Sequence, residues 1–335
     1  MKIYKWLFAS FAVYFISTVP NLVSAHVRYL VPDDQASTLL GSNFAFFLSP
    51  FMNVQYILLM IATILIVIAL TLFLIQNKFF AKECNTINKK ANGYTVFLPW
   101  ILRLSAGIAL IGSGVSNTLI SPALAGFDYF AGMQIFVGFL LVTGFLVIPA
   151  AVGALFLYLF AIIQDVYVFG NLDFFAAVVG LFLLDNEKPG VDDILGIPDI
   201  SPFTHFKKWT PLVLRIGVGG AMVFLALYEK VFNPELSAYV VNNFGLLEVV
   251  PVSTAMWVFG AGVVETILGI ALLVGYRTRL VCAIAFVVLS MSFFYFAEAV
   301  YSHITLFGTL SVLFITRGGK WSLDHSAGRV NKDFK

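Results

Sequence analysis

The chain has 335 residues, of which 60% are hydrophobic and only 11% charged, with a mean hydropathy of +0.94. Polar surface is too scarce to clothe a soluble domain, so that class is excluded and an integral membrane protein is expected. The net charge of +2 says little in itself, because the basic residues cluster outside the apolar stretches.

Residues 1–25 place Lys2 and Lys5 ahead of a short apolar run, then Pro20 and a Val23-Ser24-Ala25 end that suits signal peptidase. A signal peptide is expected, with the mature chain starting at His26; an uncleaved anchor helix is the alternative. Either way the next segment emerges on the outer side. Residues 26–96 then read as a short external segment with Arg28, Pro32, Asp33, Asp34 and Pro50, a transmembrane helix and a basic loop. Phe44 to Leu48 is expected to rest on the membrane surface. Phe51 to Gln76 carries no charge over 26 residues, enough to cross a hydrocarbon core of about 30 Å. The loop after it bears Lys78, Lys82, Lys89 and Lys90, which places it in the cytoplasm by the positive-inside rule.

From here the chain repeats itself. Pro99 to Arg103 (PWILR), Gly107 and Pro122 recur, without a gap and at one constant offset, as Pro211 to Arg215 (PLVLR), Gly219 and Pro234. Gln134, Gly138 and Gly144 recur with identical internal spacing, at a larger offset, as Glu265, Gly269 and Gly275. The larger offset means a longer outer loop in the second copy, and chance hardly supplies both matches.

Each copy reads as four spans. The first unit, residues 97–196, has them at Phe97 to Leu119, Met133 to Val147, Ala150 to Phe169 and Leu172 to Leu184. A connector, 197–209, leads to the second unit, 210–324, with spans at Thr210 to Lys230, Thr254 to Gly275, Leu280 to Ala297 and Ser302 to Thr316. A basic tail, 325–335, follows. The expected fold is therefore an all-α membrane protein of nine mature spans, two tandem four-helix bundles behind one helix.

An even number of spans per unit makes the pseudo-two-fold parallel to the membrane normal, unlike an inverted repeat. This topology puts Lys188, Lys207, Lys208, Arg277, Arg279, Arg317, Lys320, Arg329, Lys332 and Lys335 inside and only Arg28 and Lys230 outside. The expected location is the inner, cytoplasmic membrane, mature N-terminus outside and C-terminus in the cytoplasm. The lipid bilayer is the obligatory partner, and no nucleic-acid motif is present.

The stretches LRIGVGGAMVFLALYEKVFNP, VVETILGIALLVGYRTRL and HITLFGTLSVLFITRGGKWSLD resemble the DoxX-like family, four-helix membrane proteins that include the DoxD-type small subunit of thiosulfate:quinone oxidoreductase. Arg215, Gly219, Glu265, Gly269, Gly275, Arg279, His303 and Asp324 carry the resemblance. It spans residues 210–324 well and 97–196 as a degenerate copy. It implies an accessory or co-catalytic subunit of a quinone- or sulfur-linked redox system, with a redox protein as the candidate partner; it assigns no cofactor, and quinone is the candidate. A small-solute permease, or a scaffold recruiting another protein, are the alternatives. The first copy departs from the pattern with Gln134 in place of the acid, Asn117 and Thr118 in place of Glu229 and Lys230, and Leu172 or Asp173 where His303 stands.

An ionisable side chain at mid-bilayer is costly and marks a functional or pairing site. Glu265 near the middle of its span is such a group, and Arg215 is expected to pair with it across the first two helices of the second unit. Arg103 is expected to face Gln134 in the first. Glu229, Lys230, Glu298 and His303, with Asp165 and Asp173, form an outer polar set expected to sit in water. The sharper reading is a pocket in which His303 and Glu298 exchange protons with a ligand. The catalytic candidates are thus Glu265, His303 and Glu298.

An N-terminal His26 with His303 would be a minimal copper set, a weak metal signal. Bis-histidine haem lacks a second membrane histidine. Cys84 and Cys282 form no CxxC pair and read as inert thiols.

Overall fold

A computed structural model describes residues 27–76, 86–87, 90–184, 190–198, 201, 203–328 and 334. The signal peptide, His26, Cys84, and the basic residues Lys78, Lys82, Lys89, Lys188, Arg329, Lys332 and Lys335 lie outside the described residues.

The long helices are α1 (Val54–Gln76), α2 (Leu98–Val115), α3 (Ala131–Thr143), α4 (Val147–Gln164), α5 (Leu172–Leu183), α6 (Thr210–Ala226), α7 (Pro234–Asn243), α8 (Thr254–Val274), α9 (Thr278–Tyr295) and α10 (Ile304–Thr316). Proline opens α2, α6 and α7, where its missing N–H is no loss and its fixed φ suits the first turn. Gly144 and Gly275 close α3 and α8 in the left-handed conformation, at φ 69° and 66°, where a side chain would be strained.

Among the described residues six stretches are long and apolar enough to cross a membrane: Thr95–Val115, Val147–Gln164, Val166–Leu183, Thr204–Phe232, Thr254–Val274 and Thr278–Tyr295. A seventh qualifies if the helices Phe44–Met52 and Val54–Ile66, bent by 83°, are taken as one span. The expected nine is therefore not reached by length. Helices α3 and α10, at 13 residues each, reach only about 20 Å, because a 3-10 turn precedes each of them and a left-handed residue closes α3 at Gly144 and α10 at Arg317. A multi-pass helical membrane protein is what this defines.

Helices α2, α5, α6 and α10 pack on one another as the centre, with α3 against α2, α8 against α6, and α4 and α9 outside. Leu98, Leu102 and Leu110 of α2, Ala177 and Leu181 of α5, Leu214 and Val218 of α6, and Leu310 and Leu313 of α10 share one buried core. Two contacts bring backbones almost together. A Cβ on Gly107 would lie 2.7 Å from the Gly138 carbonyl, and one on Gly219 would lie 2.7 Å from that of Gly269. Glycine is what permits such approach between membrane helices.

The outer connections differ between the halves. After α2 the chain unwinds into a small antiparallel hairpin, β1 (Thr118–Leu119) and β2 (Ser121–Ala125), turning through Asn117 and Ile120 at φ 53° and 60°. After α6 the helix instead continues as a π turn, Leu227–Phe232, and α7 follows.

Residues 27–52 do not simply hang outside. Leu30, Val31 and Ala36 pack on Leu236 and Val240 of α7. The Gly41 N–H donates to Asn233 Oδ1 at 2.9 Å, and Asn43 Nδ2 to Glu235 Oε1 at 2.9 Å. Phe47 and Phe51 meet Phe259 of α8, with ring centroids 5.3 and 5.0 Å apart. Within the stretch expected on the membrane surface, Phe46 and Phe47 pack against Ala238, Val241 and Val258, while Phe44 is exposed. Helix α1 leads away from it, with Leu58, Ile64 and Leu65 turned outward, as a lipid-facing helix should be.

Candidate functional site

The intramembrane acid of α8 finds a different partner from the one expected. Arg215 and Glu265 do not pair. The Arg215 guanidinium, fully buried, turns toward the α8–α9 turn and donates to the carbonyls of Leu273 at 2.8 Å, Lys320 at 3.1 Å and Trp321 at 3.1 Å. Those carbonyls lie at a helix C-terminus and in the loop after α10, where a cation is favoured. The same turn is held by Asp324, which accepts from the backbone N–H of Arg277 at 3.0 Å and Thr278 at 2.8 Å. Arg215 is therefore a structural clamp.

Arg103 sits in the corresponding place against Gly144 and Gly190, since a Cβ on Gly144 would collide with its Nη1 and one on Gly190 would meet it at 3.0 Å. It does not serve Gln134. That amide donates to the Thr118 carbonyl at 2.7 Å and accepts from the Ile120 N–H at 3.0 Å, satisfying the backbone that the hairpin leaves unwound. An amide offers both a donor and an acceptor for this, and a carboxylate offers acceptors alone.

Glu265 instead takes Lys230. The ammonium lies 2.8 Å from Glu265 Oε2 and 2.6 Å from Glu229 Oε2, and the Tyr167 hydroxyl donates to Glu229 Oε1. The π turn makes this geometry. Its Asn233 N–H bonds back five residues to the Tyr228 carbonyl at 3.0 Å, and this wider turn changes which residues face inward. Glu229 and Lys230, expected at a solvated helix end, are 1% and 5% exposed. Gly262 makes room, because a Cβ there would stand 3.1 Å from Lys230 Cβ. Ser237 secures the turn by donating to the Glu229 carbonyl at 2.9 Å.

The chain of polar contacts has one open end. The Glu265 side chain is 29% exposed, although it stands on the stripe of α8 that also carries the buried Val258, Gly262, Gly269 and Leu272. Its inner end reaches Tyr167, whose ring packs edge-on against Tyr29 at 5.7 Å. The Tyr29 hydroxyl shares a 2.6 Å bond with Ser121 Oγ and donates to Asn171 Oδ1 at 3.5 Å. Burial pushes that phenol well above its ordinary range.

The rest of the outer polar set divides. Asp165 is half-buried and accepts from the Tyr167 N–H at 2.7 Å, a local cap. Asp173 is buried at the start of α5, beside Thr305 of α10. Glu298 and His303 are each 3% exposed and face one another, Oε2 to Nε2 at 3.4 Å. Neither Asp173, Glu298 nor His303 sits in water as expected: α10 packs on α5, and α2 packs on the 3-10 turn Val300–Ser302.

Among the described residues no group of three or more His, Cys, Asp or Glu could hold a metal. His303 is taken up by Glu298 and Ser302, and its expected copper partner His26 lies outside the described residues. Cys282 is a buried free thiol.

Tyr167, Tyr29 and Asp192 went unnoticed in the sequence. Tyr167 and Tyr29 carried no signal there. Asp192 did, since Asp324 follows it at nearly the offset that separates Gln134 from Glu265. Its Oδ1 accepts from the Leu146 N–H at 3.1 Å in the matching turn.

Helices of this length and polarity, with charges turned inward, define a multi-pass membrane protein. The model of the DoxX family matches residues 210–298, so the chain carries a DoxX domain that contains Arg215, Glu229, Lys230, Glu265 and Glu298. No curated protein and no solved structure matches the chain.

Proposed function

We propose that the protein is two fused DoxX-like four-helix units, 97–196 and 210–324, behind one transmembrane helix, and that it serves as an accessory or co-catalytic subunit of a quinone- or sulfur-linked membrane redox system. The excess of Lys and Arg in loops on one side favours the inner membrane with the N-terminus outside.

Matching contacts support the duplication. The Gly107–Gly138 and Gly219–Gly269 approaches correspond. Asp192 donates its N–H to the Gly144 carbonyl at 3.1 Å as Asp324 does to that of Gly275 at 3.0 Å. Leu146 and Arg277 are left-handed at φ 49° and 43°. Across the centre, Ser105 meets Gly308 as Gly217 meets Ala176, so each unit's first helix packs on the other's fourth.

The redox reading is carried by Glu265. Its carboxylate is ion-paired to Lys230, and yet the side chain keeps 29% of its surface exposed. A lipid-soluble quinone that is being reduced in the bilayer must gain protons, and one could be relayed to it through that carboxyl group, with Lys230 and Glu229 behind it to spread the charge. The rest of the chain supplies positioning: Gly262 admits Lys230, and Tyr167 fixes Glu229.

The test is purification in mild detergent with assay of the same membranes. A redox subunit co-purifies with a cofactor-bearing protein, and its removal slows quinone reduction. Solute uptake into sealed vesicles by the purified chain alone would point to a permease. Reproducible capture of one cofactor-free protein would point to a scaffold.

A further inference from the structure

We infer that Glu298 and His303 form a second proton-binding site, separate from the Lys230 centre, in which the Glu298 carboxyl holds one proton on the side of the imidazole Nε2 and exchanges it with water at the outer end of α9 and α10.

The geometry fixes the protons one at a time. Ser302 has a single hydroxyl proton, and it is spent on the Ala299 carbonyl at 2.8 Å. Ser302 Oγ also lies 2.8 Å from His303 Nδ1, so there it can only accept, and Nδ1 must carry hydrogen. A neutral His303 therefore turns an unprotonated Nε2 toward Glu298. Glu298 Oε2 makes no hydrogen bond among the described residues and lies 3.4 Å from that nitrogen. An O–H on the carboxyl is the group that suits both. The other oxygen, Oε1, accepts from Ser292 Oγ at 3.4 Å.

The backbone is bent to build this. Helix α9 ends with the Glu298 N–H bonded to the Phe293 carbonyl at 3.1 Å and with Ala297 left-handed at φ 52°. That turn usually takes glycine, and an alanine there costs about 1 kcal/mol. The strained residue immediately precedes Glu298 and turns it inward, as strain at functional positions does. Val300, two residues on, is 57% exposed, so the site is buried yet lies next to the surface.

Charges from the packed elements are few. Helix α5 brings Asp173, beside Thr305. Helix α2 presents Gly112 to Tyr301, and its only charge, Arg103, stands more than two turns further along the helix. The charges of Glu229, Lys230 and Glu265 are engaged with one another. Burial, opposed by the Ser292 bond, raises the Glu298 carboxyl to about 8, which agrees with a carboxylic acid at neutral pH. On release the O–H bond of Glu298 breaks, the proton passes to water, and a carboxylate remains beside His303; no electron moves.

The full chain in lipid nanodiscs, with labelled histidine, provides the test. Nitrogen NMR at neutral pH is expected to show His303 neutral with hydrogen on Nδ1, and infrared spectra to show a protonated carboxyl band that fades as pH rises through about 8. Glu298→Gln should remove that component of the band. A doubly protonated His303, an Nε2–H tautomer, or a band unchanged in Glu298→Gln would overturn the inference. The tautomer is read in the wild-type chain, so it decides the matter even if the variant fails to fold.

Discussion

Lys230 Nζ lies 2.8 Å from Glu265 Oε2, bridging the π turn after α6 to the middle of α8. Because Lys230 also neutralises Glu229 at 2.6 Å, the three charges are not equivalent. Lys230→Met would strand two carboxylates in a buried site and should cost about 3–5 kcal/mol. Glu265→Gln leaves Lys230 with Glu229 and should cost about 1–2 kcal/mol, since its own carboxylate is partly exposed. Thermal midpoints in one lipid composition, falling in the order wild type, Glu265→Gln, Lys230→Met, would check this.

Gln134 and Glu265 occupy matching heights on α3 and α8 but do different work. Gln134→Glu should therefore be destabilising, although it recreates the acid of the other half. The carboxylate would face the Thr118 carbonyl that Nε2 now serves at 2.7 Å, leaving that acceptor unmet at a cost of about 1–3 kcal/mol. A variant at least as stable as the wild type would show that the hairpin does not depend on the amide.

Asp324 accepts two backbone N–H groups, where Asp192 Oδ1 accepts the Leu146 N–H at a half-buried position. Asp324→Asn should cost about 1–3 kcal/mol, because one amide donor would turn toward a donor. Asp192→Asn should cost about 1 kcal/mol or less. Hydrogen exchange at Arg277 and Thr278 against that at Leu146 would resolve the two turns.

Much of this layout was written in the amino-acid order. The two constant offsets of the repeat picked out the glycines at both helix contacts and both helix ends, because close approach and left-handed turns demand glycine. What the order did not reveal was which way a charge points. Depth along a helix follows from counting residues at a fixed rise, and by that count Arg215 could reach Glu265. Direction around the axis depends on each turn, and the π turn at Leu227–Phe232 brought Lys230 to the acid instead. Arg215 was left to the carbonyls of the α8–α9 turn and the loop after α10. The burial of Glu298 and His303 was hidden for a related reason: α10 packs on α2, far away in the chain, a contact that local pattern does not report.

Stability should depend on pH through Glu298. Its carboxyl keeps its proton to about 8 when folded, whereas an unfolded chain loses it in the ordinary carboxyl range. The folded state thus binds the extra proton, and its advantage is complete at low pH and lost as pH rises through about 8. The unfolding free energy should fall between the ordinary carboxyl range and about pH 8 by up to about 1.4 kcal/mol per pH unit, and Glu298→Gln should flatten the profile. An equal slope in both proteins would remove Glu298 as the cause.

The most direct measurement is the rate of quinone reduction in native membranes carrying wild-type or Glu265→Gln protein at equal abundance. A partly exposed acid that handles the carrier's proton predicts a rate lower by roughly tenfold or more in the variant, with the partner protein still bound. A full wild-type rate in Glu265→Gln membranes would contradict it and leave the Lys230–Glu265 bridge as packing alone.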